Sequence, residues 1–482
     1  MEIIPTCPVR SGGQDSNLRP LAPHASTLPG CATTRNLACK CKRLFQFEKL
    51  EKQPLSSHNS FTMKVLLKQV YIVDPASPHH HSKKDIFINN GSIQAIGNNL
   101  SDAADKVIEV AGLHVSIGWT DIFAHFCDPG YEYRETLQTG AAAAAAGGFT
   151  SVLIIPNTKP VIDSKSQVEY VVQQSKSLPV NVVPIGAITK NTEGKELAEM
   201  YDMYNSGALA FSDGLNSIQS AGVLVKALLY VKSFNGVIIQ LPDDKTIAPQ
   251  GLINEGIIST RLGLPGKPMM AEELIVARDI KLARYADSRL HFTGISSPKS
   301  LEYIKRGKEG GIKITCSVTP YHLTFCDEDL LTYDTNLKVN PPLRTREDML
   351  SLRNAIGDGT IDCIASHHLP QNWDGKTCEF EYAKNGMTGL ETTYSVLKTI
   401  LPEITEDRWV ELLTKAGAVF GIANATVIEN NRADLTLFLP EKSTFVSKEK
   451  IHSKSFNTPF LGKELKGHVL GIINGDKITL NS

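Results

Sequence analysis

Eight short apolar runs separated by stretches of helical spacing constrain this 482-residue chain more than any other feature. They cover residues 116–121, 150–156, 182–187, 208–213, 236–241, 290–296, 313–320 and 362–367. Each is short and bounded by turn residues, the pattern of strands buried on both faces. Between two of them, Ile218, Ala221, Gly222, Val225 and Leu229 recur at helical spacing, as do Val276, Ile280 and Ala283 further on. Six alanines, Ala141 to Ala146, form another helical stretch whose small side chains allow close packing on a sheet, and Gly147-Gly148 stop it. Alternating strands and helices over about 300 residues predict a (β/α)8 TIM-type barrel, here 116–429.

The flanks read differently. Residues 63–73 and 85–96 read as strands, and Asn90-Gly91 is a strong hairpin signal. Residues 433–439 and 469–475 return to a strand-turn-strand pattern. A small β-sandwich domain built from both chain ends, 63–115 and 430–482, is therefore expected beside the barrel. His79-His80-His81 lies in a Ser/Pro-rich turn and reads as a solvated loop, although three adjacent imidazoles could pick up metal.

Residues 1–62 hold Cys7, Cys31, Cys39 and Cys41 and show no clear period. Cys39-Lys-Cys41 lacks the second pair that a zinc knuckle needs, and no apolar core of a secretory signal is present. The string Ser11-Gly-Gly-Gln-Asp-Ser-Asn-Leu-Arg-Pro20, followed by Pro29-Gly-Cys-Ala-Thr33, resembles a conceptually translated transfer-RNA gene. The expectation is a non-native or disordered N-terminal extension, with Met63 the first native residue.

Charge is balanced, with 50 Lys+Arg against 51 Asp+Glu, which points to no nucleic acid and no anionic membrane as partner. No apolar run reaches the roughly 18 residues of a membrane span. Nine cysteines without regular spacing suit reduced thiols in the cytoplasm rather than a disulfide framework.

In such a barrel the working residues occupy the C-terminal ends of the strands. The first strand runs into Asp121-Ile-Phe-Ala-His-Phe-Cys-Asp-Pro-Gly130. Histidines at i and i+2 on a strand point to one side and can grip one ion, but here Phe123 takes the first position and only His125 remains. Later strand ends present Asn157, Asp213, Gln240, Gly294 and the pair His367-His368.

Asp128-Pro-Gly130, Gly147-Gly-Phe-Thr150, Pro156-Asn-Thr158, Asn254-Glu-Gly256, Lys338-Val-Asn-Pro-Pro-Leu-Arg344, Gly389-Leu-Glu391 and Asn457-Thr-Pro-Phe460 occur in the order of one known family. From Met63 onward the chain resembles a dihydroorotase of the amidohydrolase superfamily. The resemblance implies opening and closing of the dihydroorotate ring in pyrimidine biosynthesis at a metal centre, usually zinc, with a carboxylate at strand eight moving the proton. Carried onto this chain, the first histidine corresponds to Phe123, the strand-five histidine to Gln240, the strand-six histidine to Gly294 and the strand-eight aspartate to His367. Cys127 stands for the arginine that grips the substrate carboxylate, and Gln371 for a substrate-side histidine. His125 is kept, Asp213 suits the bridging position, and Asn157 and Asn340 remain where the family contacts substrate. If His125, Asp213 and His367 converge, they could supply the three ligands of a single zinc, with His367 as ligand or base but hardly both.

Each retained residue also has a plain structural reading. Asn157 and Asn340 can satisfy backbone groups at the barrel end, His368 can be a hydrogen-bonded core histidine, and His322 reads as structural. His291 is given no role. Cys127 is the only thiol at the mouth, and no histidine stands at a spacing that would activate it. Three functions follow. The first is an impaired dihydroorotase-like scaffold, similar to inactive family members that bind aspartate carbamoyltransferase. The second is an active dihydroorotase or related cyclic amidohydrolase on a reduced metal site. The third is a binding barrel without chemistry. A homodimer is implied by the resemblance alone.

Overall fold

All eight expected runs overlap a strand, displaced by one to three residues at four of them: Trp119–Ala124, Phe149–Ile154, Asn181–Pro184, Ala210–Phe211, Val237–Gln240, Arg289–Phe292, Ile314–Val318 and Cys363–Ile364. The computed structural model describes residues 63–481 other than 102 and 424, so the extension expected at 1–62 lies outside the described residues. The first three strands pair in parallel, as do the last five. Parallel bridges Gly186–Phe211 and Ala124–His368 join the two arcs, closing a (β/α)8 barrel.

Alternation along the strands divides the core in two. Leu153, Ile155 and Ile239 pack with Ile122, Ile185 and Ala365. Their neighbours Val152, Ile154 and Ile238 pack instead with helix residues such as Ala141, Ala144 and Leu228.

The alanine-rich helix spans Leu137–Ala146, with Thr136 and Thr139 forming a reciprocal cap at its start and Gly147 at its end. Small residues are needed here, because a Cβ on Gly140 would stand 2.5 Å from the Phe126 ring. The helix Ala221–Lys232 corrects the expected phase. Its buried face is Leu224, Ala227, Leu228 and Val231, while Leu229 is 47% exposed. On the helix Met270–Ala286 the expected Val276, Ile280 and Ala283 are buried.

Strands from both chain ends form one sheet, in the order Lys477–Leu480, Glu464–Asn474, Asp434–Phe445, His114–Ile117, Val65–Ile72, Lys83–Asn89, Ser92–Gly97. Val65–Ile72 forks: its first half pairs with Lys106–Glu109 and its last two residues with His114–Ile117. The fork lets the sheet fold over its own core of Val65, Leu67, Ile86, Val115, Leu435 and Ile473 as a β-sandwich. Asn90 and Gly91 take φ of 52° and 69°, the hairpin turn expected. A Cβ at Gly91 would stand 2.7 Å from the Gly475 carbonyl carbon, so glycine lets the N-terminal hairpin lie on the C-terminal one. The sandwich is tied to the barrel where Thr436 donates to the Gly148 carbonyl (2.7 Å) and the Asn474 amide to that of Thr150 (3.3 Å).

Among the described residues no helix is long and apolar enough to cross a membrane, and the five described cysteines are free.

Candidate active site at the barrel mouth

The first strand delivers Phe123 and His125 to the mouth, both buried. His125 uses both ring nitrogens locally. The Cys127 backbone N–H donates to Nδ1 (2.8 Å), so the proton sits on Nε2, which donates to the Asn157 carbonyl (3.0 Å). Burial first, and the Arg134 charge next, lower its pKa to about 3, so the ring is neutral. Cys127, at φ 58°, is 1% exposed, and burial pushes its thiol up to about 12.

Asp213 is capped by the third strand's loop. The backbone N–H groups of Ile188 and Thr189 donate to Oδ1 (both 2.9 Å) and the Thr189 hydroxyl to Oδ2. Burial nevertheless raises its carboxyl to about 6. Asn157 clamps the same turn, donating to the Asp213 carbonyl (3.1 Å) and accepting from Leu215 N–H (2.9 Å). A Cβ on Gly214 would meet Asn157 Oδ1 at 1.8 Å, so the turn requires a glycine there.

His367 occupies the centre of the arrangement. Its ring stacks on Phe123, centroids 4.4 Å apart, and its Cε1 lies 2.7 Å from where a Cβ on Gly294 would stand. The imidazole therefore fills the space that the absent strand-six side chain leaves. A polar chain runs to it through the barrel. Thr315 donates to His291 Nδ1 (2.8 Å), His291 Nε2 to Ser317 Oγ (3.0 Å), Ser317 to Thr293 Oγ1 (3.0 Å) and Thr293 to His367 Nε2 (2.7 Å). Burial, then the neighbouring His322 and His291, lower the His367 pKa to about 3. His367 Nδ1 has no hydrogen-bond partner among the described residues.

The convergence expected of His125, Asp213 and His367 does not occur. Among the described residues, the one group whose ligand atoms lie within 4.8 Å of each other is His80, His81 and Asp407. Both nitrogens of His125 and both oxygens of Asp213 are already hydrogen bonded, and His367 is held between Phe123 and Thr293. The residues at the mouth do not fit a zinc centre, which needs about three free ligand atoms directed at one point. The turn with His79, His80 and His81, expected as a solvated loop, is tied down: His81 Nε2 bonds the Asp407 carboxylate (2.9 Å). Asp74 N–H donates to His80 Nδ1 (3.2 Å), so the His80 proton sits on Nε2, 3.7 Å from Asp407 Oδ1.

The remaining polar positions are also engaged. The placement expected of Gln240 is corrected: its Nε2 donates to Asp279 Oδ2 (3.1 Å) in the helix layer, and Leu241, whose Cδ1 lies 3.1 Å from where a Cβ on Gly294 would stand, faces the mouth instead. Gln371 accepts from Arg134 (3.4 Å) and donates to the Asn385 carbonyl (3.0 Å). Asn340 accepts from Lys267 Nζ (3.1 Å), itself paired with Asp243 at 2.7 Å. Asn254 accepts from Arg344 (3.1 Å), which also donates to Ser296 Oγ (3.0 Å). His322 donates from Nε2 to the Pro341 carbonyl (3.0 Å) and accepts from Thr319 (2.9 Å), a structural role.

Three residues at the mouth escaped the sequence reading. Arg134 lies 4.3 Å over the Tyr131 ring. Glu135, fully buried, accepts from His368 Nε2 (3.4 Å), Lys454 N–H (3.1 Å) and the Ser453 and Thr139 hydroxyls. Burial pushes its carboxyl up, but these partners, His368 foremost, outweigh it and hold it below the usual value. Thr293 is the third. A buried Glu135 was signalled only by an acidic residue directly ahead of an apolar helix.

The dihydro-orotase-like family profile matches residues 114–300. The chain is 42% identical over 413 residues to a dihydroorotase of Caldanaerobacter subterraneus subsp. tengcongensis, covering 84% of this chain and 95% of that protein. It is 40% identical over 422 residues to a dihydroorotase of Pelotomaculum thermopropionicum, covering 87% and 99%. Among solved structures, it is similar to L-hydantoinase (dihydropyrimidinase) from Arthrobacter aurescens, with TM-score 0.77 and 22% identity over 87% of this chain and 96% of that one. Dihydropyrimidinase from Brevibacillus agri NCHU1002 gives TM-score 0.74 and 20% identity over 87% and 95%. At these identities the two structures speak for the fold.

Proposed function

Since the chain belongs to the dihydroorotase family, we propose that it is a dihydroorotase-like protein of pyrimidine biosynthesis with impaired catalysis, acting as a structural partner of aspartate carbamoyltransferase. The observation that carries this reading is the filled mouth: Phe123 and His367 stack where ligands would face an ion, and His367 takes up the space beside Gly294. Losing a residue that only orients a ligand weakens a metal site ~10–100-fold, and here the ligand positions themselves are altered. Meanwhile the strings that shape the barrel end persist as a buried network, with Arg344 held by Asn254 and Ser296. Loss of ligands with retention of framework is what a scaffold role needs.

The test pairs turnover with association. Residues 63–482 supplied with zinc are assayed with dihydroorotate in both directions, then mixed with aspartate carbamoyltransferase from the same source. The expected result is no rate above background and a stable complex on gel filtration, with homodimerisation checked by light scattering of the chain alone. A robust rate, or no association, would overturn the reading.

A second reading is supported by the 42% identity to a dihydroorotase: an active dihydroorotase or related cyclic amidohydrolase on a reduced metal site. It requires His125, Asp213 and His367 to abandon their present bonds and converge. Turnover that disappears in His125→Ala would favour it.

A further inference from the structure

Beside the loop after the eighth strand is a cleft of about 550 Å3 lined by Tyr133, Trp373, Lys376, Lys448, Lys454 and Phe456, among others. Lys376 is 8% exposed, yet its ammonium donates only to the Thr335 carbonyl (2.8 Å). Among the described residues no carboxylate pairs with it, and Asp334 acts on it only at longer range. Buried lysines normally have a counter-charge, because a desolvated cation without one is costly. Burial first, and Lys338 next, pull the Lys376 pKa down to about 7. Lys454 donates to the Glu132 carbonyl (2.7 Å) and Lys448 lies 4.9 Å over the Phe456 ring; the Glu132 and Glu449 carboxylates act on them only at longer range, without an ion pair among the described residues. The rim aromatics are open: Trp373 is 72% exposed, Tyr133 58% and Phe456 37%.

We propose that this cleft binds a small phosphorylated ring compound of the nucleotide class, with the phosphates at Lys376, Lys448 and Lys454 and the ring against Trp373 and Tyr133. Among the described residues none of the three cations is ion-paired, phosphate supplies such a partner, and exposed aromatic faces offer stacking together with cation–π contact. The cleft has the size of a single small-molecule site. A net charge of −1 over the chain sets it apart from surfaces that track long nucleic acids. The proposal does not rest on the impaired-catalysis reading, because none of the three lysines stands at a position where the family holds metal.

Isothermal titration of the full chain with adenosine 5′-diphosphate, inorganic pyrophosphate and adenosine tests it. The diphosphate should bind saturably, more tightly than either part, and more weakly as salt rises. Lys376→Met removes the buried cation for an apolar chain of similar volume, which keeps the fold, and should weaken the diphosphate by roughly tenfold or more. Trp373→Ala, at an exposed position, should weaken the diphosphate and leave pyrophosphate unchanged. Lys448→Ala and Lys454→Ala, also exposed, serve if Lys376→Met melts early. No saturable binding up to about 1 mM, or diphosphate binding unchanged in both Trp373→Ala and the lysine variants, overturns the proposal. Pyrophosphate binding as tightly as the nucleotide overturns the nucleotide assignment.

Discussion

The Phe123 ring stacks on the His367 imidazole with centroids 4.4 Å apart and planes 28° from parallel. That contact joins the ends of the first and eighth barrel strands, and Gly294 at the end of the sixth makes it possible. With φ +68° and no Cβ, Gly294 leaves the volume into which His367 Cε1 projects. The ends of the first, sixth and eighth strands thus depend on one another here. Any side chain placed at Gly294 would collide with the His367 ring.

Gly294→Ala should therefore destabilise the protein by about 1–3 kcal/mol, combining backbone strain at positive φ with overpacking against His367. In a His367→Ala background the backbone part and the contact with Leu241 Cδ1 (3.1 Å) remain, so the added cost should shrink. Urea denaturation of the two single variants and the double variant gives the coupling directly. Strictly additive costs would show that the two residues do not share the space.

Stability should fall in mild acid. His125, His291, His322 and His367 each titrate at about 3 in the folded chain, burial being the first cause in every case. An unfolded imidazole titrates near 6.5, so between those values the unfolded chain binds more protons and stability rises with pH. Their contribution is complete above about 6.5 and is lost as pH falls toward 3. Asp213 and Asp279, both raised to about 6 by burial, work the other way between about 4 and 6. Four histidines outweigh two aspartates, so the urea midpoint should drop between pH 7 and pH 5. One uncompensated histidine accounts for at most about 1.4 kcal/mol per pH unit. His291→Gln should flatten the profile, and a midpoint that rises toward pH 5 would contradict the assignment.

Cys127 should be inert despite its place at the mouth. It is 1% exposed and its thiol is pushed up to about 12, so almost no thiolate exists at neutral pH. Brief iodoacetamide treatment of native protein followed by peptide mapping should leave Cys127, Cys316 and Cys363 unmodified. Cys378, the partly exposed one, should react first among the described cysteines. Rapid labelling of Cys127 would mean that the mouth opens in solution.

The barrel was legible because eight apolar runs at near-regular intervals leave few alternatives, and each overlaps a strand. The face of the helix Ala221–Lys232 was not. Apolar residues occur on nearly every side of it, so spacing alone could not tell buried Leu228 from exposed Leu229. The replaced residues could be located from flanking strings such as Asp128-Pro-Gly130, yet their new partners could not. That Asn157 clamps the turn before Leu215, or that His367 fills the space beside Gly294, depends on side chains far apart in sequence and carries no local pattern. His291 reads from the sequence as a mid-strand residue facing away from Gly294 and without a role, yet it anchors the polar chain to His367.

The Glu135–His368 pair should prove the largest single polar contributor at the mouth. Both side chains are fully buried at 3.4 Å, and Glu135 also accepts from the Lys454 backbone and the Ser453 hydroxyl, which fastens the segment around 453 to the barrel. His368 in turn accepts from Gly389 N–H (3.2 Å) on Nδ1, so removing the carboxylate leaves its Nε2 proton buried without a partner. Glu135→Ala should cost about 1–3 kcal/mol, the range for leaving a buried donor without its partner. Glu135→Gln keeps the shape and an acceptor oxygen and should cost less than half of that. Thermal unfolding ranks the variants, and hydrogen exchange should show the 453–457 segment opening first in Glu135→Ala. Equal costs for Ala and Gln would mean that shape, not the carboxylate, holds the segment.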